Sequence, residues 1–258
     1  MVSQWYAGSR GGAGEPAACG PRMRGVMSAR ARSRALWVSV AVISLFWAQA
    51  VFTHLVRPAG NAPPPSVRAI AAFVLLKAAV VLVVVLALLR ADGETLAGLG
   101  LTRAAFRGSA WPGVAIALGA FVAVNAGVGG LLRALGLPGS GERIGALFRD
   151  PRDAVFWIFA AVVGGGFAEE LVRAFVLTRF ERAFGRPGLV FALVADTAVF
   201  TLGHLYQGIT GAVQAGTAGL VFAFVFLWRR RVADAMAVHA LFDLLGIAAA
   251  YALYAGRP

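Results

Sequence analysis

From residue 36 onward, long apolar runs alternate with short polar stretches, and the runs have a common length. They cover residues 36–56, 67–89, 111–132, 154–177, 189–205, 209–228 and 232–254. Each is close to the ~20 apolar residues that a helix needs to cross a hydrocarbon core of ~30 Å. This spacing predicts an all-α, polytopic transmembrane helix bundle of about seven spans, with the fifth the shortest. The breaks are chemical. "APPPS" at 62–66 cannot continue a helix, because each proline lacks an amide hydrogen and restricts the residue before it. "RADGETLAGLGLTR" at 90–103 reads as a surface connection lying against the next helix. The first 35 residues, rich in Gly, Ala, Arg and Ser, show neither helical nor strand period and read as a disordered basic tail. They do not read as a secretory signal, since the basic region is too long and the following run is of spanning length; Met23 and Met27 leave a later start open.

Composition supports the same class. The chain is 59% hydrophobic and only 14% charged, with a mean hydropathy of +0.76, too little polar surface to cover a soluble globule of its size. The net charge of +12 would suit a nucleic-acid binder, but the arginines sit in short segments between apolar runs. There, retention on the cytoplasmic side and anionic lipid headgroups explain them, so the expected partner is the lipid bilayer and not nucleic acid. With the N-terminus inside, fifteen basic loop residues lie on the inner side against seven on the outer, which predicts a cytoplasmic N-terminus. The single Cys19 excludes a disulfide framework and a Cys-based zinc site.

Against this background the buried polar residues stand out. A charge at mid-membrane costs about 2.5–3.5 kcal/mol on insertion scales, so such groups usually face a cavity or one another. They cluster in the last four runs: Glu169, Glu170 and Arg173 in the fourth, Asp196 and His204 in the fifth, His239 and Asp243 in the seventh. The first three runs hold only Lys77 and His54, read here as end or edge residues. The chain therefore divides into the tail (1–35), a scaffold of helices and linker (36–109) and a chemical core (110–258).

Helical spacing orients these groups. Glu169 and Arg173, four apart, share a face and are expected to pair. Glu170 projects about 100° away, which lets one glutamate be anchored while its neighbour enters a pocket. His239 and Asp243 in "HALFD" are also four apart, and Asp196, Phe200 and His204 form a stripe in "DTAVFTLGH". Asp196 reads as a packing or supporting residue. A carboxylate with two histidines and an aspartate is the set that binds a divalent ion such as zinc, or a polarised water, and takes its proton. By itself the His239/Asp243 pair is equally a helix-packing hydrogen bond of about 1 kcal/mol. "GGG" at 164–166 permits close helix approach or a kink just before the glutamates. Depth sets one condition. At about 1.5 Å per residue, His204 lies roughly 10 Å further from the basic side than the glutamates and His239. A tilted, broken or deeper-starting fifth span would bring it level.

The order Glu-Glu…Arg, Phe-x-x-x-His in "FTLGH" and His-x-x-x-Asp in "HALFD" resembles the CPBP family of intramembrane proteases, the type II CAAX prenyl proteases and bacteriocin-processing or self-immunity proteins. The similarity covers roughly residues 110–255, with "ETLAGLGLTR" like the segment before that core. The resemblance implies an intramembrane endopeptidase acting on membrane-associated proteins or peptides through a glutamate-activated water. By motif position, Glu169 would be the activating acid, Glu170 its partner and Arg173 the supporting cation. His204, His239 and Asp243 would bind the water, a metal or the oxyanion. Asparagine is common where Asp243 stands. The family pattern is Glu-Glu-x-x-x-Arg, whereas only Leu171 and Val172 separate Glu170 from Arg173. Either a residue is missing within the motif, or Glu169 takes the second position and Ala168 the first; keeping both acids favours the former. A non-catalytic immunity or scaffold protein and a proton-coupled transporter are the competing readings, although no internal repeat supports a transporter. The compact, arginine-heavy chain suggests a bacterial inner membrane.

Overall fold

In the computed structural model, the described residues are 66–140 and 150–254, with Arg34, Trp37, Val38, Ala41, Gly145 and Phe148. The expected first span, residues 36–56, and His54 lie outside them, as does nearly all of the N-terminal tail. Among the described residues every regular element is helical.

Helix α1 (Val67–Ala91) starts where Ser66 accepts the Ala69 amide on its hydroxyl, at 3.3 Å. Its buried residues, Ala71, Ala78, Val81, Val85 and Leu89, recur at helical spacing, while Phe73, Leu76, Leu82 and Val83 point outward. A helix that is apolar on both faces but packed on only one requires lipid on the other. A short 3₁₀ turn (Leu96–Leu99) leads to α2 (Arg103–Val122), capped by Thr102. A π-helical turn (Ala123–Val128) then joins α2 to α3 (Gly129–Ala134). After a 3₁₀ turn (Pro151–Asp153), α4 (Ala154–Phe159) passes through a second π segment (Ala160–Glu169) into α5 (Glu170–Gly203). Helices α6 (Gly208–Arg229) and α7 (Val232–Tyr254) complete the bundle.

Among the described residues, five stretches are long and apolar enough to cross a membrane: Val67–Ala91, Trp111–Ala134, Pro151–Gly203, Leu205–Arg229 and Val232–Tyr254. By length and composition these helices make the chain an integral membrane protein. The third stretch holds both the fourth and the fifth expected spans. The break expected between them, at residues 178–188, is present as a bend at Gly185, and Arg179 and Arg182 in this connection reach the acids that follow α1. Arg179 binds Glu94 at 2.6 Å and Asp92 at 3.0 Å, and Arg182 binds Glu94 at 2.5 Å.

The break inside α5 is at Gly185, with φ 65° and ψ −151°, a region open essentially to glycine alone. Alanine at 185 is therefore expected to destabilise the protein by about 1–3 kcal/mol. A lower thermal midpoint in detergent would register this, and an unchanged midpoint would count against the bend.

The first arm of α5 is the centre of the bundle. Residues Glu170 to Leu177 are all buried, and with Phe222, Phe226, Val232 and Met236 they form the main core. The glycines before them admit their neighbours at very short range. A Cβ at Gly164 would lie 2.2 Å from Val74 Cγ1, and one at Gly166 would lie 2.8 Å from the Ala240 Cβ. The close-approach reading of "GGG" therefore holds, with α1 on one side and α7 on the other.

Candidate active site

Each chemical residue reaches the centre of the bundle by a separate local device. The π segment ends at Glu169, so Glu169 and Glu170 straddle a change of helical register. The bend at Gly185 folds the second arm of α5 back along the first. Arg173, twelve residues before the bend, meets Asp196, eleven after it, with Nε donating to Oδ2 at 2.8 Å. The helices α6 and α7 bring Phe222 and His239 against this pair.

Arg173 is the hub. It is 1% exposed and donates both to Asp196 and to Glu170 Oε1, with its guanidinium 4.7 Å above the Phe200 ring. The expected partnership of Glu169 with Arg173 is not formed. Arg173 takes Glu170, three residues away, because its side chain turns toward the second arm, where Asp196 waits. Glu170, not Glu169, is thus the anchored acid. Its Oε1 also accepts from His239 Nδ1 at 2.8 Å, and its Oε2 is buried without a hydrogen-bond partner.

Glu169 instead lines a cavity of about 270 Å³ between the arms of α5, α6, α7 and the π turn after α2. His204, His239, Asp243, Tyr206, Asn125 and Gln214 share its wall. His239 is nearly buried, stacked on Phe222 at 4.3 Å between ring centres. Because Nδ1 donates to Glu170, Nε2 is the nitrogen directed away from it, 3.5 Å from Asp243 Oδ2. A Cβ at Gly165 would come within 2.7 Å of Asp243 and 3.2 Å of His239 Nε2, so the middle glycine leaves room for this pair.

His204 lines the same cavity as Glu169 and His239. It stacks on Phe200 at 4.5 Å and donates Nδ1–H to the Phe200 carbonyl at 2.8 Å, which leaves Nε2 as the second ring nitrogen of a cavity-lining residue. Counted from the bend at Gly185, Glu169 lies 16 residues up one arm and His204 19 up the other, so the expected mismatch shrinks to about 4.5 Å. Asp196 has the supporting role read from the sequence. What sequence reasoning missed is the aromatic support of Phe222 and the polar wall of Asn125, Gln214 and Tyr206. The π turn at Ala123–Val128 carries Asn125, and residue spacing carries no signal for it.

A divalent metal on His204, His239 and Asp243 was expected as an alternative to a bound water. Among the described residues no group of three or more His, Cys, Asp or Glu side chains converges as a ligand set. Both nitrogens of His239 face carboxylates.

With this geometry in view, comparison with known families is decisive in one respect. Residues 151–245 match the Type II CAAX prenyl endopeptidase Rce1-like family. The Rce1-like stretch runs from the turn before α4 to Leu245 in α7, so it contains Glu169, Glu170, Arg173, His204, His239 and Asp243. The helices α1, α2 and α3 lie outside it. The match agrees with the CPBP resemblance of the motifs and supports a CAAX-protease-like peptidase. No curated protein and no solved structure matches the chain.

Proposed function

We propose that this protein is an intramembrane endopeptidase that hydrolyses peptide bonds of membrane-associated proteins or peptides, with Glu169 as general base. The observation that carries the reading is the division of labour between adjacent acids. Glu170 is locked to Arg173 and His239, while Glu169 lines the cavity with both histidines.

A water held by Glu169 loses a proton to its carboxylate as it attacks the scissile carbonyl carbon. Glu169 then returns that proton to the departing amine. His204 and His239 each present Nε2 on the cavity side. A neutral imidazole there orients the water, and a protonated one donates to the oxyanion. Glu170 holds the His239 ring in register, in the way a carboxylate orients a catalytic imidazole. The apolar walls formed by Phe121, Phe200, Phe222 and Phe242 limit competing water. We place the protein in a bacterial inner membrane with its basic loops cytoplasmic, so substrates arrive laterally or from that face.

The test is cleavage of a panel of tagged membrane peptides by purified protein in detergent and in liposomes. Wild type should cleave, and His204→Ala should be slower by about 10²-fold. Activity that survives a chelator supports the bound-water chemistry, whereas loss restored by zinc would bring a metal into it. Full activity in His204→Ala would remove that residue from the site. Failure of wild type on every peptide in both environments would overturn the peptidase reading.

A further inference from the structure

The helix α1, outside the Rce1-like match, carries the only lysine of the chain. Lys77 is not the end or edge residue expected from the sequence. It is the eleventh of the 25 residues of α1, mid-helix and half-buried.

Three contacts fix the register between α1 and the α4–α5 stretch. Arg68 reaches Asp153 at 3.8 Å, Val74 meets Gly164, and Glu94, just past α1, binds Arg179. The two stretches therefore run side by side in the same direction, offset by 85 to 90 residues. Carrying the Val74–Gly164 offset of 90 forward sets Lys77 beside Phe167. That is two residues, or about 3 Å of helical rise, from Glu169. A lysine stem spans such a gap, and Lys77 and Glu169 interact electrostatically.

The charge balance gives this placement a purpose. Glu169, Glu170, Asp196 and Asp243 converge on the site, and Arg173 is committed to Glu170 and Asp196. Glu169 faces Lys77 from α1, His204 from the end of α5, and His239 and Asp243 from α7.

We propose that Lys77 is the positioning residue for Glu169: a basic side chain from the scaffold half of the chain that pairs with the catalytic carboxylate and aims it into the cavity. This rests on the endopeptidase reading. It makes α1 a contributor to the active site instead of a passive wall. A residue acting this way affects the chemical step more than substrate binding.

Two measurements test it together. In the peptide-cleavage assay, Lys77→Met should lower kcat by roughly tenfold or more with KM within about twofold, and Lys77→Arg should recover most of the loss. Independently of activity, Lys77→Met should lower the thermal midpoint in detergent. Adding Glu169→Gln to Lys77→Met should raise that midpoint again, because the orphaned carboxylate is gone. Unchanged kcat in Lys77→Met, or additive midpoints in the double variant, would overturn the assignment. If wild type cleaves nothing while the midpoints couple, the pair stands and the endopeptidase reading fails.

Discussion

Glutamine in place of Glu169 is expected to abolish peptide-bond hydrolysis, a loss of about 10²–10⁴-fold, while leaving the fold intact. The substitution keeps shape and hydrogen-bonding capacity but removes the proton acceptor. Glu169 makes none of the ion pairs that organise Arg173, so the Arg173 network is kept and only the Lys77 contact is given up. Glu170→Gln should behave differently. It weakens the Arg173 and His239 contacts, so both thermal midpoint and rate should fall, with the rate loss the smaller of the two variants. Paired kinetics and melting of both variants decide the matter. Full proteolysis by Glu169→Gln with none by Glu170→Gln would reverse the two roles.

Methionine at Arg173 is expected to have the largest effect on stability. Arg173 is the shared partner of two acids that are themselves 1% and 3% exposed, Glu170 and Asp196. Breaking a buried pair by removing one member costs about 3–5 kcal/mol, because the charge left behind has neither water nor partner. Here two are left. The thermal midpoint in detergent should fall by of order 10 °C, at about 2–4 °C per kcal/mol for a chain of this size. Asp196→Asn should be milder, since an amide oxygen still accepts from Nε and one acid fewer is buried. Equal midpoints for Arg173→Met and wild type would mean that the network is not what holds the hairpin closed. Arg173→Lys should restore only part of the loss, as an ammonium cannot reproduce the two-sided guanidinium geometry.

The helical membrane architecture was legible because a bilayer imposes it: runs of about 20 apolar residues have few alternatives. The clustering of charge in the later helices was legible for the same reason, since each buried charge is costly enough to be informative. Pairing was less so. The four-residue spacing of Glu169 and Arg173 suggested a salt bridge that the structure replaces with Glu170–Arg173. The direction in which Arg173 turns depends on Asp196, which is close in space only because of Gly185. His204 appeared too deep when each span was measured from its own end, and the bend removes that frame. The two π segments leave no mark in residue periodicity, yet they aim Glu169 and Asn125. Lys77 was legible as a residue but not as a partner, since nothing in its own helix shows which neighbour it meets.

The bend at Gly185 also bears on how such a protein is made. Arg173 and Asp196 lie on the two arms either side of Gly185, the two legs of a single hairpin. Lys77 precedes them on α1, already inserted when Glu169 leaves the ribosome. His239 follows last, on the final helix. Biosynthesis therefore delivers cation before anion and closes the catalytic pocket only when α7 docks.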